Sequence, residues 1–291
     1  MMTLEKSSPC KVNLILNILG RRPDGYHELE TIMQPVKVCD QLAFARSGAG
    51  IELTCSEASL PVDGRNLAHK AAAAFLAAAG IADGVKIHLE KKIPLAAGLG
   101  GGSGNAAVTL VGLNELFGGP LERGKLEELA AGLGSDVNFF LQDQPALATG
   151  RGEKVESLRA FPALAGRAFF LIHPGFGIST PWAYQNLARF PEALNGRPGR
   201  ARQLAAALAA GDWAAARGDF YNSLEAPALE KYPVLEVFQK FLREFGALAT
   251  LMSGSGSTTF AIMDNLAAAE TVREQFLGFF GRNCWTAVVA V

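Results

Sequence analysis

Between Ile93 and Leu110 the chain reads Ile-Pro-Leu-Ala-Ala-Gly-Leu-Gly-Gly-Gly-Ser-Gly-Asn-Ala-Ala-Val-Thr-Leu. Gly98, Gly100, Gly101, Gly102 and Gly104 crowd one turn. A helix is predicted directly behind them over 106–116, with Ser103 as its N-cap and Phe117-Gly118-Gly119-Pro120 as its stop. Glycines at a helix start let backbone N–H groups approach a ligand with no Cβ in the way, and the helix dipole favours an anion there. The chemistry offered is a phosphate cradle; the plain alternative is a flexible connection. Two familiar cradles are excluded by spelling. A P-loop carries Lys-Ser/Thr directly after its second Gly, and no Lys stands between Lys92 and Lys125. The dinucleotide fingerprint fails because Ser103 stands where its third Gly belongs. The lysine for this cradle must come from elsewhere in the chain.

Lys11 is a candidate. A strand is predicted over 9–19, with Val12, Leu14, Leu16 and Ile18 on one face and Lys11, Asn13, Ile15 and Asn17 on the other. That polar face is either a half-exposed edge or a working surface. Arg21-Arg22-Pro23-Asp24-Gly25 forms a turn, and Tyr26-His27 at its exit is well placed to recognise a ring. Gly134 closes a helix marked by Leu126, Leu129, Ala130 and Leu133. Ser135 is then the expected N-cap of a new element, which puts Asp136 at its start as a dipole partner or an acting carboxylate. A second turn of small residues, Ser253-Gly254-Ser255-Gly256-Ser257, is an ordinary hairpin or a further approach for a phosphate or hydroxyl.

The elements that position these residues fall into two groups. Strands are expected over 33–44, 51–55 and 85–89, with an Ala-rich helix over 66–79 ended by Gly80. The polar, Gly-containing stretch 144–155 suggests a domain boundary near Arg151, giving domains 1–152 and 153–291. Beyond it come a strand (168–172), helices (181–187, 200–210, 213–220, 234–245), two strands (247–252, 258–263), a helix (266–277) and a last strand (284–291). Without the extra helices this is β-α-β-β-α-β, a ferredoxin-like layer of helices on an antiparallel sheet and an α+β class. The basic stretch Gly196-Arg197-Pro198-Gly199-Arg200 reads as a solvated loop.

Composition narrows the partners. The 291 residues are 49% hydrophobic and 19% charged, with net charge −1 and a pI near 6.5. That balance excludes the basic footprint of a nucleic-acid or membrane-surface binder. Cys10, Cys39, Cys55 and Cys284 lack C-x-x-C spacing, so reduced thiols are expected and zinc is not. Met1 to Lys6 does not read as a signal peptide and no apolar run approaches a membrane span, so the expectation is a cytoplasmic protein.

Three separated stretches now agree: Pro9-Cys10-Lys11-Val12-Asn13-Leu14, the loop from Pro94 to Gly104, and Met252-Ser253-Gly254-Ser255-Gly256. Together they resemble the three motifs of the GHMP kinases, the superfamily of galactokinase, homoserine kinase, mevalonate kinase and phosphomevalonate kinase. Gly20-Arg21-Arg22-Pro23-Asp24-Gly25-Tyr26-His27-Glu28-Leu29 and Gly134-Ser135-Asp136-Val137 are similar to the branch acting on CDP-methylerythritol. The resemblance runs from Pro9 to about Phe260. The Tyr26-His27 turn is its most specific part, since the glycine loop fits the whole superfamily.

The resemblance implies two domains. The N-terminal one is ATP-binding and ribosomal-protein-S5-domain-2-like; the C-terminal one is ferredoxin-like, on the substrate side. It implies transfer of the ATP γ-phosphate, with Mg²⁺ expected, to the 2-hydroxyl of CDP-methylerythritol in non-mevalonate isoprenoid synthesis. Lys11 and Asp136 match the catalytic pair. Pro94, Leu95, Ala96, Ala97, Gly98, Leu99, Gly100, Gly101, Gly102, Ser103 and Gly104 match the ATP-phosphate loop, and Asn66 falls where the family approaches adenine. Asn13, Tyr26 and His27 match the substrate side, joined by Thr180, Pro181 and Tyr184, whose ring would close on cytosine opposite Tyr26. Cys10 stands where Ala is common and Asn138 where Pro is usual. No side chain is singled out as a metal ligand. A kinase of another small alcohol lacks a use for the Tyr26-His27 turn. A non-catalytic nucleotide-binding module has no reason to keep both Lys11 and Asp136.

Overall fold

A computed structural model describes residues 3–291. In chain order the first half contains β1 (Leu4–Arg21), β2 (His27–Ser47), β3 (Ile51–Cys55), α1 (Leu67–Ala79) and β4 (Gly84–Glu90). It continues with α2 (Gly101–Leu116), α3 (Arg123–Leu133), β5 (Ala146–Gly150) and β6 (Lys154–Ser157). The second half contains β7 (Ala168–His173), α4 (Thr180–Leu187), α5 (Pro191–Leu194), α6 (Arg200–Ala209), α7 (Trp213–Ala216) and β8 (Tyr221–Asn222). It ends with α8 (Glu225–Lys231), α9 (Pro233–Glu244), β9 (Ala249–Met252), β10 (Thr259–Met263), α10 (Leu266–Phe280) and β11 (Trp285–Ala290). Contacts group the chain into two interleaved units rather than at one cut in the sequence. The first holds Met1–Cys10, Val38–Ile93 and Gly100–Asp143; the second holds Lys11–Lys37, Pro94–Leu99 and Gln144–Val291. The long strands β1 and β2 each contribute to both.

In the first unit the later part of β2 pairs antiparallel with β4, and β4 pairs parallel with β3. The helices α1, α2 and α3 pack on one another. Their buried residues include many small ones: Ala68, Ala71 and Ala72 of α1 and Gly104, Ala106 and Ala107 of α2. Asn66 caps α1 by accepting from Ala68 N–H, and Gly80 ends it in the left-handed conformation at φ 63°.

Two helix starts differ from expectation. Helix α2 begins at Gly101, with Gly100 as N-cap at φ 70° and no side-chain cap, so Ser103 lies inside the first turn. Gly100 adopts a left-handed conformation that starts the helix before the serine is reached. Ser135 does not cap a helix either. Val137 N–H donates to Gly134 C=O at 3.1 Å, which closes a tight turn with Ser135 and Asp136 at its centre. A short 3₁₀ helix (Asn138–Leu141) follows, with Val137 as its N-cap.

In the second unit β5 pairs antiparallel with the first part of β2, β6 pairs with β5, and β8 lies parallel on β1 with Ile15 opposite Tyr221. A separate sheet has the order β11-β7-β10-β9, antiparallel throughout. That order is the expected ferredoxin-like one. Helices α9 and α10 cover one face, burying Phe238, Phe241, Leu242, Val272 and Phe276 against Phe170, Ile172 and Ala261. The expected helix over 213–220 is only one turn, capped by Asp212 and ended after Ala216.

Candidate active site

Lys11 is 3% exposed although it carries a charge. Its Nζ donates to Asn13 Oδ1 at 2.6 Å and to Gly98 C=O at 3.0 Å, and its backbone N–H donates to Leu99 C=O at 3.0 Å. Asn13 is held in turn, donating to Thr31 Oγ1 at 2.9 Å, whose hydroxyl donates to Ile15 C=O at 2.5 Å. The polar face read on β1 is therefore buried at Lys11 and Asn13 rather than a half-exposed edge. Asn17, further along, donates to Glu30 and to Arg197 C=O and anchors the basic 196–200 loop instead.

The serine-glycine turn at 253–257 meets the first half of the glycine loop. Ser253 Oγ donates to Gly98 C=O at 3.0 Å, and Thr258 N–H donates to Ala97 C=O at 3.1 Å. A Cβ on Gly98 would lie 2.0 Å from Ser253 C=O, and one on Gly254 would lie 3.0 Å from Gly98 C=O and 3.3 Å from Lys11 Nζ. Both residues have positive φ as well. Only glycine lets these two backbones and the ammonium share the space.

On the recognition side, the His27 and Tyr184 rings are 5.0 Å apart and tilted by 38°. Burial, with Arg21 nearby, holds the His27 pKa below its ordinary value, so at neutral pH the imidazole is uncharged and offers one donor and one acceptor. Tyr26 is 57% exposed and carries the Arg151 guanidinium 4.8 Å from its ring centre. Ser179 caps α4, Pro181 lies in its first turn, and Thr180 Oγ1 shares a 2.8 Å hydrogen bond with Ser255 Oγ. Tyr184 thus has the His27 ring beside it.

In the first unit, the leading N–H groups of α2 have no side-chain cap and, by helix geometry, no intrahelical acceptor. Gly102 offers space there, since a Cβ on it would come only within 3.6 Å of Leu67 Cδ1. Asn66 spends its side chain on α1, accepting from Ala68 N–H and donating to Pro61 C=O, both at 2.9 Å. Asp136 is half-buried in its turn. Cys10 is a buried cysteine outside any disulfide, and Asn138 Oδ1 is buried without a hydrogen-bond partner among the described residues.

Comparison with known proteins fits this geometry. The "GHMP kinases N terminal domain" model matches residues 66–151 and the "GHMP kinases C terminal" model matches 201–282. A 4-diphosphocytidyl-2-C-methyl-D-erythritol kinase of Pelotomaculum thermopropionicum is 41% identical over 276 residues, covering 94% of each chain. One from a Synechococcus strain is 43% identical, covering 91% of this chain and 88% of its own. A crystal structure of 4-(cytidine 5'-diphospho)-2C-methyl-D-erythritol kinase matches with TM-score 0.78 and 34% identity, over 99% of this chain and all (100%) of that one. The chain belongs to the 4-diphosphocytidyl-2-C-methyl-D-erythritol kinase family of GHMP kinases. A homoserine kinase of Cytophaga hutchinsonii, 20% identical with TM-score 0.74, shares the fold.

Membership of this family makes the chain a small-molecule kinase with ATP as phosphate donor. It also directs attention to groups that sequence reading passed over. Asn222 Nδ2 donates to Met252 C=O at 2.7 Å and to Gly254 C=O at 2.8 Å. Glu225 Oε1 accepts from Met252 N–H at 2.6 Å and from Gln239 Nε2 at 2.7 Å. An isolated Asn at the end of β8 and a Glu at the start of α8 give no local signal of such a role; only the fold brings them against the second glycine turn.

Burial pushes the Glu225 carboxyl up to about 7 from an ordinary 4.5, against the pull of those hydrogen bonds and of Arg243. A carboxyl with a raised folded-state pKa holds its proton in the native state where the unfolded chain has lost it. Its contribution is therefore intact below pH 4.5 and falls away as pH rises to about 7. The span corresponds to an order of about 3 kcal/mol. Glu225→Gln keeps the acceptor and removes the charge. Urea unfolding at pH 5 and pH 8 is expected to show the variant gaining about 1–3 kcal/mol over wild type at the higher pH only.

A second expectation concerns α2. Gly102→Val has room for its side chain yet sets two methyl groups before the leading N–H groups. Calorimetric titration is expected to give an intact fold with ATP binding weakened by about tenfold or more, a loss of about 1.4 kcal/mol or more. Wild-type binding would make this loop a connector.

Proposed function

We propose that the chain transfers the γ-phosphate of ATP to the 2-hydroxyl of 4-diphosphocytidyl-2-C-methyl-D-erythritol, in non-mevalonate isoprenoid synthesis. The observation that carries the reading is Lys11, an ammonium buried between Asn13 Oδ1 and Gly98 C=O beside two glycine turns. Phosphoryl transfer asks for fixed positive charge and alignment more than for covalent help. Relatives of 41% and 43% identity carrying that enzyme's name support the substrate.

In this reading Lys11 stabilises the charge of the transferring phosphoryl group, and Asp136 orients the hydroxyl and takes its proton late. The stretch from Pro94 to Gly104 holds the ATP phosphates, with the uncapped start of α2 supplying N–H donors. Asn66 lies on the adenine side, its amide engaged in capping α1. Asn13 positions the alcohol, and Tyr26, His27, Thr180, Pro181 and Tyr184 form the cytidine side. Residues 1–152 serve as the ATP-binding and catalytic domain and 153–291 as the substrate-side domain. Mg²⁺ accompanies ATP, held by phosphate oxygens and water. Among the described residues there is no group of three or more His, Cys, Asp or Glu side chains that could hold a metal ion. Among them, too, no helix is long and apolar enough to cross a membrane. A cytoplasmic location, where ATP is at hand, completes the proposal. Kinases of mevalonate or homoserine have no base to read with His27 and Tyr184, which favours the cytidine substrate over theirs.

Lys11→Ala and Asp136→Asn are each expected to lower kcat by a factor on the order of 10² or more. Coupled ADP release measures it, with circular dichroism confirming the fold. Near-normal turnover in either variant removes that residue from its role.

Tyr184→Ala is expected to raise KM for the cytidine substrate by about ten- to a hundredfold with KM for ATP little changed, because a stacking face is lost. Tyr184→Phe keeps the face and is expected to be mild. Tyr184 also packs beside the cluster of Leu16, Leu29 and Ile178. Were that its whole role, the Ala variant would melt at a lower temperature with both KM values preserved.

A further inference from the structure

Asp40 lies on β2 at 0% exposure and has no part in the chemistry above. Its Oδ1 accepts from the backbone N–H groups of Lys92 at 2.7 Å and Ile93 at 2.9 Å, the residues that lead into the glycine loop. Its Oδ2 accepts from Asn105 Nδ2 at 2.9 Å, on the first turns of α2, and forms an ion pair with Lys91 Nζ. Lys91 also donates to Asn105 Oδ1 at 3.2 Å, and Asn105 donates to Ser8 Oγ at 3.1 Å. The ammonium lies against the helix start: a Cβ on Gly101 would sit 3.4 Å from Lys91 Nζ.

A buried ion pair of this kind is a poor way to gain stability, since apolar residues of similar volume commonly do as well or better. What it gives is fixed geometry. One carboxylate joins the strand exit at 92–93 to Asn105, the two sides of the loop proposed to hold ATP phosphates. The charges also have a sign. An uncompensated carboxylate beneath a helix start would repel the anion that the helix attracts, and Lys91 cancels it.

We infer that Asp40 and Lys91 are positioning residues for the phosphate loop, joining its two sides through Asn105 and keeping its underside electrically neutral. This rests on the proposed reading of the loop as the ATP-phosphate site.

The test compares Lys91→Met with the double variant Asp40→Asn/Lys91→Met. Binding of a nonhydrolysable ATP analogue is read by calorimetry, KM for the cytidine substrate by kinetics, and each fold by its melting curve. Lys91→Met leaves a bare carboxylate and is expected to weaken analogue binding by about tenfold, with the cytidine KM within about twofold of wild type. The double variant removes both charges, so it is expected to bind better than Lys91→Met yet about threefold more weakly than wild type. A structural role alone predicts lower melting temperatures with analogue affinity unchanged in both, and that result overturns the inference. Should Lys91→Met fail to fold, the double variant decides, with wild-type affinity overturning the inference. Gly102→Val separates the two levels. If it weakens analogue binding while the Lys91 variants do not, only the positioning role is lost; if it has no effect either, the loop reading itself falls.

Discussion

An ammonium group can leave water only if oxygen atoms replace its hydration, and Lys11 is arranged around that constraint. Two of its partners are neutral oxygens, Asn13 Oδ1 and Gly98 C=O. Neutral oxygens of this kind replace part of the hydration that a buried ammonium gives up. The demand propagates outward. Gly98 must lack a Cβ because Ser253 C=O occupies its place, and Gly254 must lack one because Gly98 C=O and the ammonium occupy its own. Two glycine turns far apart in sequence are thus fitted to one cation.

A site made of backbone has little side-chain packing of its own, so its shape is set by groups behind it. Asn222 grips Met252 and Gly254 by their carbonyls, while Glu225 holds the Met252 N–H. Neither needs to touch a substrate to matter. The cost is visible in Glu225, whose burial drives its pKa up to about 7. A stability-optimised protein would place a neutral acceptor there; strained or costly groups collect where geometry is prized.

Much of this was legible in the sequence, because glycine is legible. The loop at 98–104, the turn at 253–257 and the two-faced strand around Lys11 carry local signals of residue type and period, and the β-α-β-β-α-β order predicted the antiparallel sheet. Starts of helices were less legible. Ser103 and Ser135 are good caps by type, but Gly100 begins α2 sooner and the hydrogen bond from Val137 to Gly134 makes a turn where a helix was expected. The supporting residues were not legible at all. Asp40, Asn222 and Glu225 are single polar residues with partners far along the chain, 27 positions from Glu225 to Met252 and 65 from Asp40 to Asn105, and nothing in their own neighbourhoods marks them. Asn17 and the basic 196–200 loop were visible separately but not as partners, since 180 residues separate Asn17 from Arg197.

Specificity and catalysis draw on opposite treatments of charge in this chain. In the proposed reaction Lys11 is a buried cation that meets a transferring anion. His27 is driven the other way: burial and Arg21 both disfavour a second cation beside Tyr184. A neutral imidazole presents a donor and an acceptor at once, which is what reading the edge of an uncharged base requires, whereas an imidazolium could only donate. The same desolvation that would cripple a phosphate-binding cation therefore improves a base-reading ring. Arg151 on the exposed face of Tyr26 shows a third arrangement, a cation left in solvent where it can cover a ring without being buried. Under the proposed function, placing the charged groups by depth in this way would serve phosphates at the glycine turns and an uncharged ring elsewhere.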